Sequence, residues 1–146
     1  MTDFRPDDSL GYLVNRAARL MAQALGRRLA PYGVGIGQWA VLLFLYQQDD
    51  RTQVELSRLV AIEPPTMVRT IDRMVRDGLV ERRPDPRDAR ATRIGLTDRA
   101  RTLREPLLAA ARSVNADAVA VLGERGRQQA MRNLRTLIEA FGDGGR

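Results

Sequence analysis

Apolar side chains recur every three to four residues along almost the whole chain, and the stretch that breaks this rhythm lies between residues 79 and 96. Such spacing is the signature of amphipathic helices, so the chain is bound to be helical at both ends with one short extended insert. Residues 10–29 place Leu10, Leu13, Val14, Ala17, Leu20, Met21 and Leu29 on one face of a long helix, which Pro31 and Gly33 stop. A second helix follows with Trp39, Leu42, Leu43 and Tyr46 on its apolar side, and Asp49-Asp50 ends it. A short third helix, about 52–60, is expected to bury Val54, Leu56, Leu59 and Val60. After a tight turn at Ala61-Ile62, a fourth helix opens on Pro64 and Pro65, whose missing N–H groups cost nothing in a first turn. Gly78 suits the residue just past its end.

Residues 79–83 and 91–96 read as two strands joined by the polar loop 84–90. Thr97 is a good helix N-cap, with Asp98 at the positive helix end. Helical periodicity then covers 98–122 and resumes after Gly123–Gly126 as far as Phe141. The expected fold is mainly α with a small β-wing: a winged helix-turn-helix flanked by long dimerisation helices. Residues 36–96 form the reading lobe in this scheme, and residues 1–35 with 97–146 form the helical lobe.

Composition narrows the chemistry. The chain has no cysteine and no histidine, which excludes disulfides, thiol nucleophiles, zinc-finger spacings and imidazole acid–base work. No phosphate-binding loop, dinucleotide fingerprint or nucleophile elbow is present. No catalytic residue, metal site or cofactor is implied, and an enzyme is not expected. No run of about 18 apolar residues occurs, and Met1–Arg5 carry no apolar signal segment. A cytoplasmic protein without membrane association is therefore expected. The formal net charge is +6, and all 24 basic residues are arginine.

The position of that charge carries the functional argument. On the fourth helix Met67, Val68, Ile71, Met74 and Val75 are expected to face the core, while Thr66, Arg69, Thr70 and Arg73 share the opposite face. Hydroxyls and guanidinium forks near a helix start are what major-groove readout needs, because Arg can grip guanine O6 and N7 with two hydrogen bonds. From residue 64 to residue 93 there are eight arginines against five acids, a surplus of three positive charges. Arg87 and Arg90 fall at the hairpin tip, where an adjacent, negative minor groove would attract them. A solvated arginine face on an ordinary amphipathic helix remains the plainer alternative.

The stretch 62–74, followed by Asp77-Gly78-Leu79-Val80-Glu81-Arg82, Asp88-Ala89-Arg90 and Leu96-Thr97-Asp98, resembles the MarR family, in particular its SlyA-like branch. The ordered combination, with Gln38-Trp39 upstream, carries the resemblance over residues 36–100. The resemblance implies a homodimeric transcriptional regulator that binds an operator in double-stranded DNA. It makes Arg90 the minor-groove arginine and Asp88 the carboxylate that orients it. It also implies dimerisation through the first and last two helices and a small-molecule effector, an aromatic or lipophilic anion, with Arg16, Arg19 and Trp39 as candidate contacts. Ala89 departs from the pattern, since many members carry a second Arg there. A non-specific or architectural nucleic-acid binder, and a winged helix used only for protein contacts, are the competing readings.

Overall fold

The computed structural model describes residues 4–142. Its elements are α1 (Leu10–Leu29), α2 (Ile36–Gln47), β1 (Arg51–Thr52), α3 (Gln53–Val60), α4 (Pro64–Arg76), β2 (Val80–Pro84), β3 (Thr92–Leu96) and α5 (Asp98–Gly142). Single 3-10 turns at Pro6–Asp8 and Ala30–Tyr32 flank α1. The expected order is therefore present, with one addition. The two residues of β1 pair with β3, Arg51 opposite Ile94 and Thr52 opposite Arg93, giving an antiparallel sheet in the order β1-β3-β2. A two-residue strand has no periodicity of its own, and only its partner makes it visible.

The chain divides into two units, residues 1–110 and 111–146. The first holds a core built from α2 (Trp39, Leu42, Leu45), α3 (Leu56), α4 (Met67, Ile71, Met74) and β3 (Ile94, Leu96). Each large side chain buried there contributes about 1.5–3 kcal/mol of transfer free energy. Three expectations about this core are corrected, on α3, α4 and α2. On α3, Leu56 is buried but Val54 and Leu59 are exposed. Two helical turns offer the core one narrow stripe, and 56, 57 and 60 occupy it. On α4, Val68 and Val75 are about 40% exposed, because both lie to one side of the Met67–Ile71–Met74 stripe, roughly 75–95° from its centre around the helix. On α2 the sequence is apolar all round, and Val41 and Leu45 are buried while Leu43 is exposed.

Helix ends follow the local chemistry. Thr52 accepts from the Glu55 N–H at 3.1 Å, and Thr97 from the Ala100 N–H at 3.2 Å. Gly78 follows α4 at φ 71, the left-handed conformation a helix stop favours. Gly123 interrupts α5 at φ 73, ψ 167, a conformation essentially confined to glycine. Among the described residues no single helix is long and apolar enough to cross a membrane.

Candidate nucleic-acid interface

The polar face expected on α4 is present. Thr66, Arg69 and Arg73 are exposed and Thr70 is half-buried, opposite the buried Met67, Ile71 and Met74. The Thr70 hydroxyl donates to the Thr66 carbonyl at 2.9 Å, and Arg69 Nη2 donates to Thr66 Oγ1 at 3.4 Å. The Arg69 interaction is long and exposed, so the guanidinium stays free to turn outward.

The hairpin tip is shaped by two carboxylates. Asp85 Oδ1 accepts the Arg87 N–H at 2.8 Å, and Asp88 Oδ1 accepts the Arg90 N–H at 2.9 Å. The backbone closes below them through Ala91 N–H to the Asp88 carbonyl and Asp85 N–H to the Ala91 carbonyl. Arg87 and Arg90 project from this double turn with exposed side chains. Asp88 thus engages the Arg90 backbone, whereas the resemblance implied that it orients the Arg90 guanidinium. Two residues is the separation at which an aspartate folds back on its own chain, and that short-range bond takes the carboxylate.

The hairpin base is tied on both sides by side chains that sequence patterning did not single out. Arg93 on β3 meets Asp85 Oδ2 at 3.1 Å, Asp50 Oδ1 at 3.2 Å and the Asp50 carbonyl at 2.7 Å. The backbone N–H of Arg87, and then the Arg93 side chain, hold the Asp85 carboxyl below the usual carboxylate range. On the other strand Arg82 reaches α4, with Nη1 2.6 Å from Asp72 Oδ1 and Nη2 donating to the Val68 carbonyl at 3.2 Å. These contacts join residues 8 to 43 positions apart, so no local motif announces them.

The far end of α4 is also held. Gln38 Nε2 donates to Asp77 Oδ2 at 2.8 Å, the Arg99 guanidinium donates to the Asp77 carbonyl, and the Thr97 hydroxyl donates to the Gly78 carbonyl at 2.6 Å. The Gln38 hydrogen bond is the main reason the Asp77 carboxyl sits below its ordinary range. The Arg73, Met74 and Val75 carbonyls accept the Asp77, Leu79 and Gly78 N–H groups, and Arg99 and Thr97 take the carbonyls just beyond the helix.

The candidate effector residues are scattered. Trp39 is 6% exposed and belongs to the core. Arg16 donates to Tyr12 Oη at 3.3 Å on the exposed surface of α1, and Arg19 is exposed beside it. A cavity of about 350 Å³ lies elsewhere, lined by Leu43, Phe44, Tyr46 and Gln47 of α2 and by Arg104 and Leu108 of α5. Tyr46 Oη donates to the Ala100 carbonyl at 2.6 Å. Burial pushes that phenol up to about 12, against the opposing charge of Arg104.

Comparison with known proteins places this architecture. The MarR family model matches residues 32–91. A probable transcriptional regulator from Pseudomonas aeruginosa is 30% identical, with a TM-score of 0.80 over 92% of this chain and 99% of that one. The M. tuberculosis transcriptional regulator MOSR, solved in complex with DNA, is 29% identical, with a TM-score of 0.81 over 95% of this chain and 100% of that one. A MarR transcriptional regulator from Methanosarcina mazei Go1 is 27% identical, with a TM-score of 0.85 over 92% and 96%.

Proposed function

The chain belongs to the MarR family of winged-helix transcriptional regulators, and from that premise we propose that it is a sequence-specific repressor acting as a homodimer on a palindromic operator. The observation that carries this reading is the pairing of two exposed basic elements on one scaffold. The face of α4 with Thr66, Arg69, Thr70 and Arg73 enters the major groove, and the tip with Arg87 and Arg90, shaped by Asp88, reaches the adjacent minor groove. Residues 36–96 are the reading lobe in this proposal.

Residues 1–35 and 97–146 form the dimerisation lobe. Each unit of the chain leaves large apolar side chains uncovered: Leu10, Leu13, Leu20 and Met21 on α1, and Leu134, Ile138 and Phe141 near the end of α5. Exposure reaches 64% at Leu10 and 78% at Phe141. Apolar surface of that extent calls for a partner, and a two-fold mate offers the same surface in return.

An effector reading attaches to the α2–α5 cavity. Its apolar walls and the single cation of Arg104 suit a small aromatic or lipophilic anion. The cavity lies between α2 and α5, and these two helices also carry Gln38 and Arg99, which bond to Asp77 at the end of α4. Such a ligand shifts operator affinity only through a difference in its affinity for the free and the DNA-bound protein.

The test is selection from a random duplex pool followed by mobility shift under excess random competitor. A specific regulator enriches an inverted repeat and keeps its shifted band. Binding that the competitor abolishes equally on every duplex would instead establish a non-specific nucleic-acid binder.

A further inference from the structure

Arg82 and Asp72 form a contact that neither base reading nor core packing requires. Asp72 lies on the stripe of α4 that runs Val68, Asp72, Val75, between the buried face and the arginine face. Arg82 lies on β2 two residues beyond the buried Val80, on the same side of the strand. Its fork spans one helical turn of α4, with one nitrogen on the Asp72 carboxylate and another on the Val68 carbonyl. The Val68 carbonyl is free to accept this second bond because each carbonyl oxygen has two lone pairs and the helix uses one. The partial exposure of Val68 thereby has a counterpart, since its backbone is where the wing is fastened.

We propose that the Asp72–Arg82 clamp is a positioning device that makes the recognition helix and the wing dock on DNA as one rigid body. The proposal rests on the DNA-binding reading above. Arg69 and Arg90 stand on different elements, and simultaneous docking demands a set distance between them. A clamp already made in the free protein removes the freedom that docking would otherwise have to freeze out. Arg82 differs in this respect from Arg87 and Arg90. Its side chain is 34% exposed and two of its three nitrogens are already committed to α4, so its charge is spent within the protein.

The sign of the Asp72 effect separates this role from ordinary electrostatics. Removing an acid from a helix offered to a polyanion strengthens binding if charge alone matters. Removing one jaw of the clamp weakens it. The experiment is a double-mutant cycle with Asp72→Asn and Arg82→Gln, using the tightest duplex that the wild-type protein selects from a random pool. Melting temperature is followed in parallel. Each single variant is expected to lose about tenfold in affinity, and the double variant is expected to lose no more than the weaker single. The slope of log affinity against log salt is expected to be unchanged in Arg82→Gln, whereas loss of a phosphate contact lowers it by about one.

Tighter or unchanged binding by Asp72→Asn overturns the proposal, as do additive losses with a reduced salt slope. Should Arg82→Gln fail to fold, the direction of the Asp72→Asn effect decides alone. Failure of the wild-type chain to enrich any duplex overturns the DNA-binding reading and the clamp with it. Binding with independent effects overturns the clamp only.

Discussion

Arg69 and Arg90 are both exposed guanidinium groups, and the proposed DNA-binding reading gives them different work. Arg69 sits on the second turn of α4 beside Thr66 and Thr70, on the face proposed to enter the major groove. Arg69→Ala is expected to cost about 1–3 kcal/mol of operator binding and to relax sequence preference at one position of each half-site. Arg90→Ala is expected to weaken binding with its sequence effect on A·T-rich flanks, because a narrow minor groove is read by charge and width. Competition mobility shifts with single-base variants of the selected duplex check both. Asp88 supplies a sharper test of how the tip is built. Its carboxylate closes the turn on the Arg90 N–H, so Asp88→Ala is expected to loosen the tip and weaken binding although it raises the net positive charge. Asp88→Asn keeps an acceptor oxygen and is expected to restore most of the affinity. Tighter binding by Asp88→Ala would show the tip to be no more than a charged patch.

The helices that frame the reading lobe are fixed to one another by polar bonds over an apolar core. Tyr46 is the clearest case, since it spans α2 and α5 with a 2.6 Å hydrogen bond to the Ala100 carbonyl. Its folded-state value of about 12 exceeds the ordinary phenol value of 10.0, and burial is the main cause. A group whose folded value is raised stabilises the fold fully below the unfolded value, and that contribution drains away as pH rises from 10 towards 12. Denaturant titration in alkaline buffers is expected to show stability falling across this window in the wild type and less steeply in Tyr46→Phe. At neutral pH the same variant is expected to cost about 1 kcal/mol for the lost hydrogen bond. Ultraviolet titration is expected to show a phenol ionising near pH 12 that Tyr46→Phe lacks.

Each unit of the molecule, taken by itself, exposes apolar side chains, on α1 in one and on the distal part of α5 in the other. The cost of that exposure is the ground for the proposed assembly of two chains. Sedimentation at micromolar concentration is expected to give twice the chain mass. Leu134→Glu combined with Leu137→Glu is expected to yield monomer or aggregate, with operator affinity falling as dimer is lost. A well-folded wild-type monomer would contradict this assembly. In the proposed dimer, two-fold symmetry also sets the form of the operator. Footprints are expected on inverted repeats with half-site centres roughly 10 base pairs apart, or a multiple of one helical turn.

Much of this architecture is local, and the sequence alone was enough to specify it. Helix periods, the proline start and glycine stop of α4, the glycine break at 123 and the basic hairpin all arise from neighbours a few residues apart, which is the range over which backbone conformation and helical faces are set. The arginine face of α4 was legible for the same reason, since residues 66, 69, 70 and 73 share it on any helix. Other features exist only after folding. β1 has two residues and needs β3 to be a strand. Val68, Val75, Val54 and Leu59 have the right chemistry for a core, but their angular position relative to a particular neighbour leaves them outside it. Trp39 is enclosed within the core, although its chemistry would equally suit a ligand wall. Arg82 could pair with any acid within reach of a long flexible chain. Only the packing of β2 against α4 selects Asp72, because ion pairing is non-directional in sequence and is decided by where the backbone puts the partners.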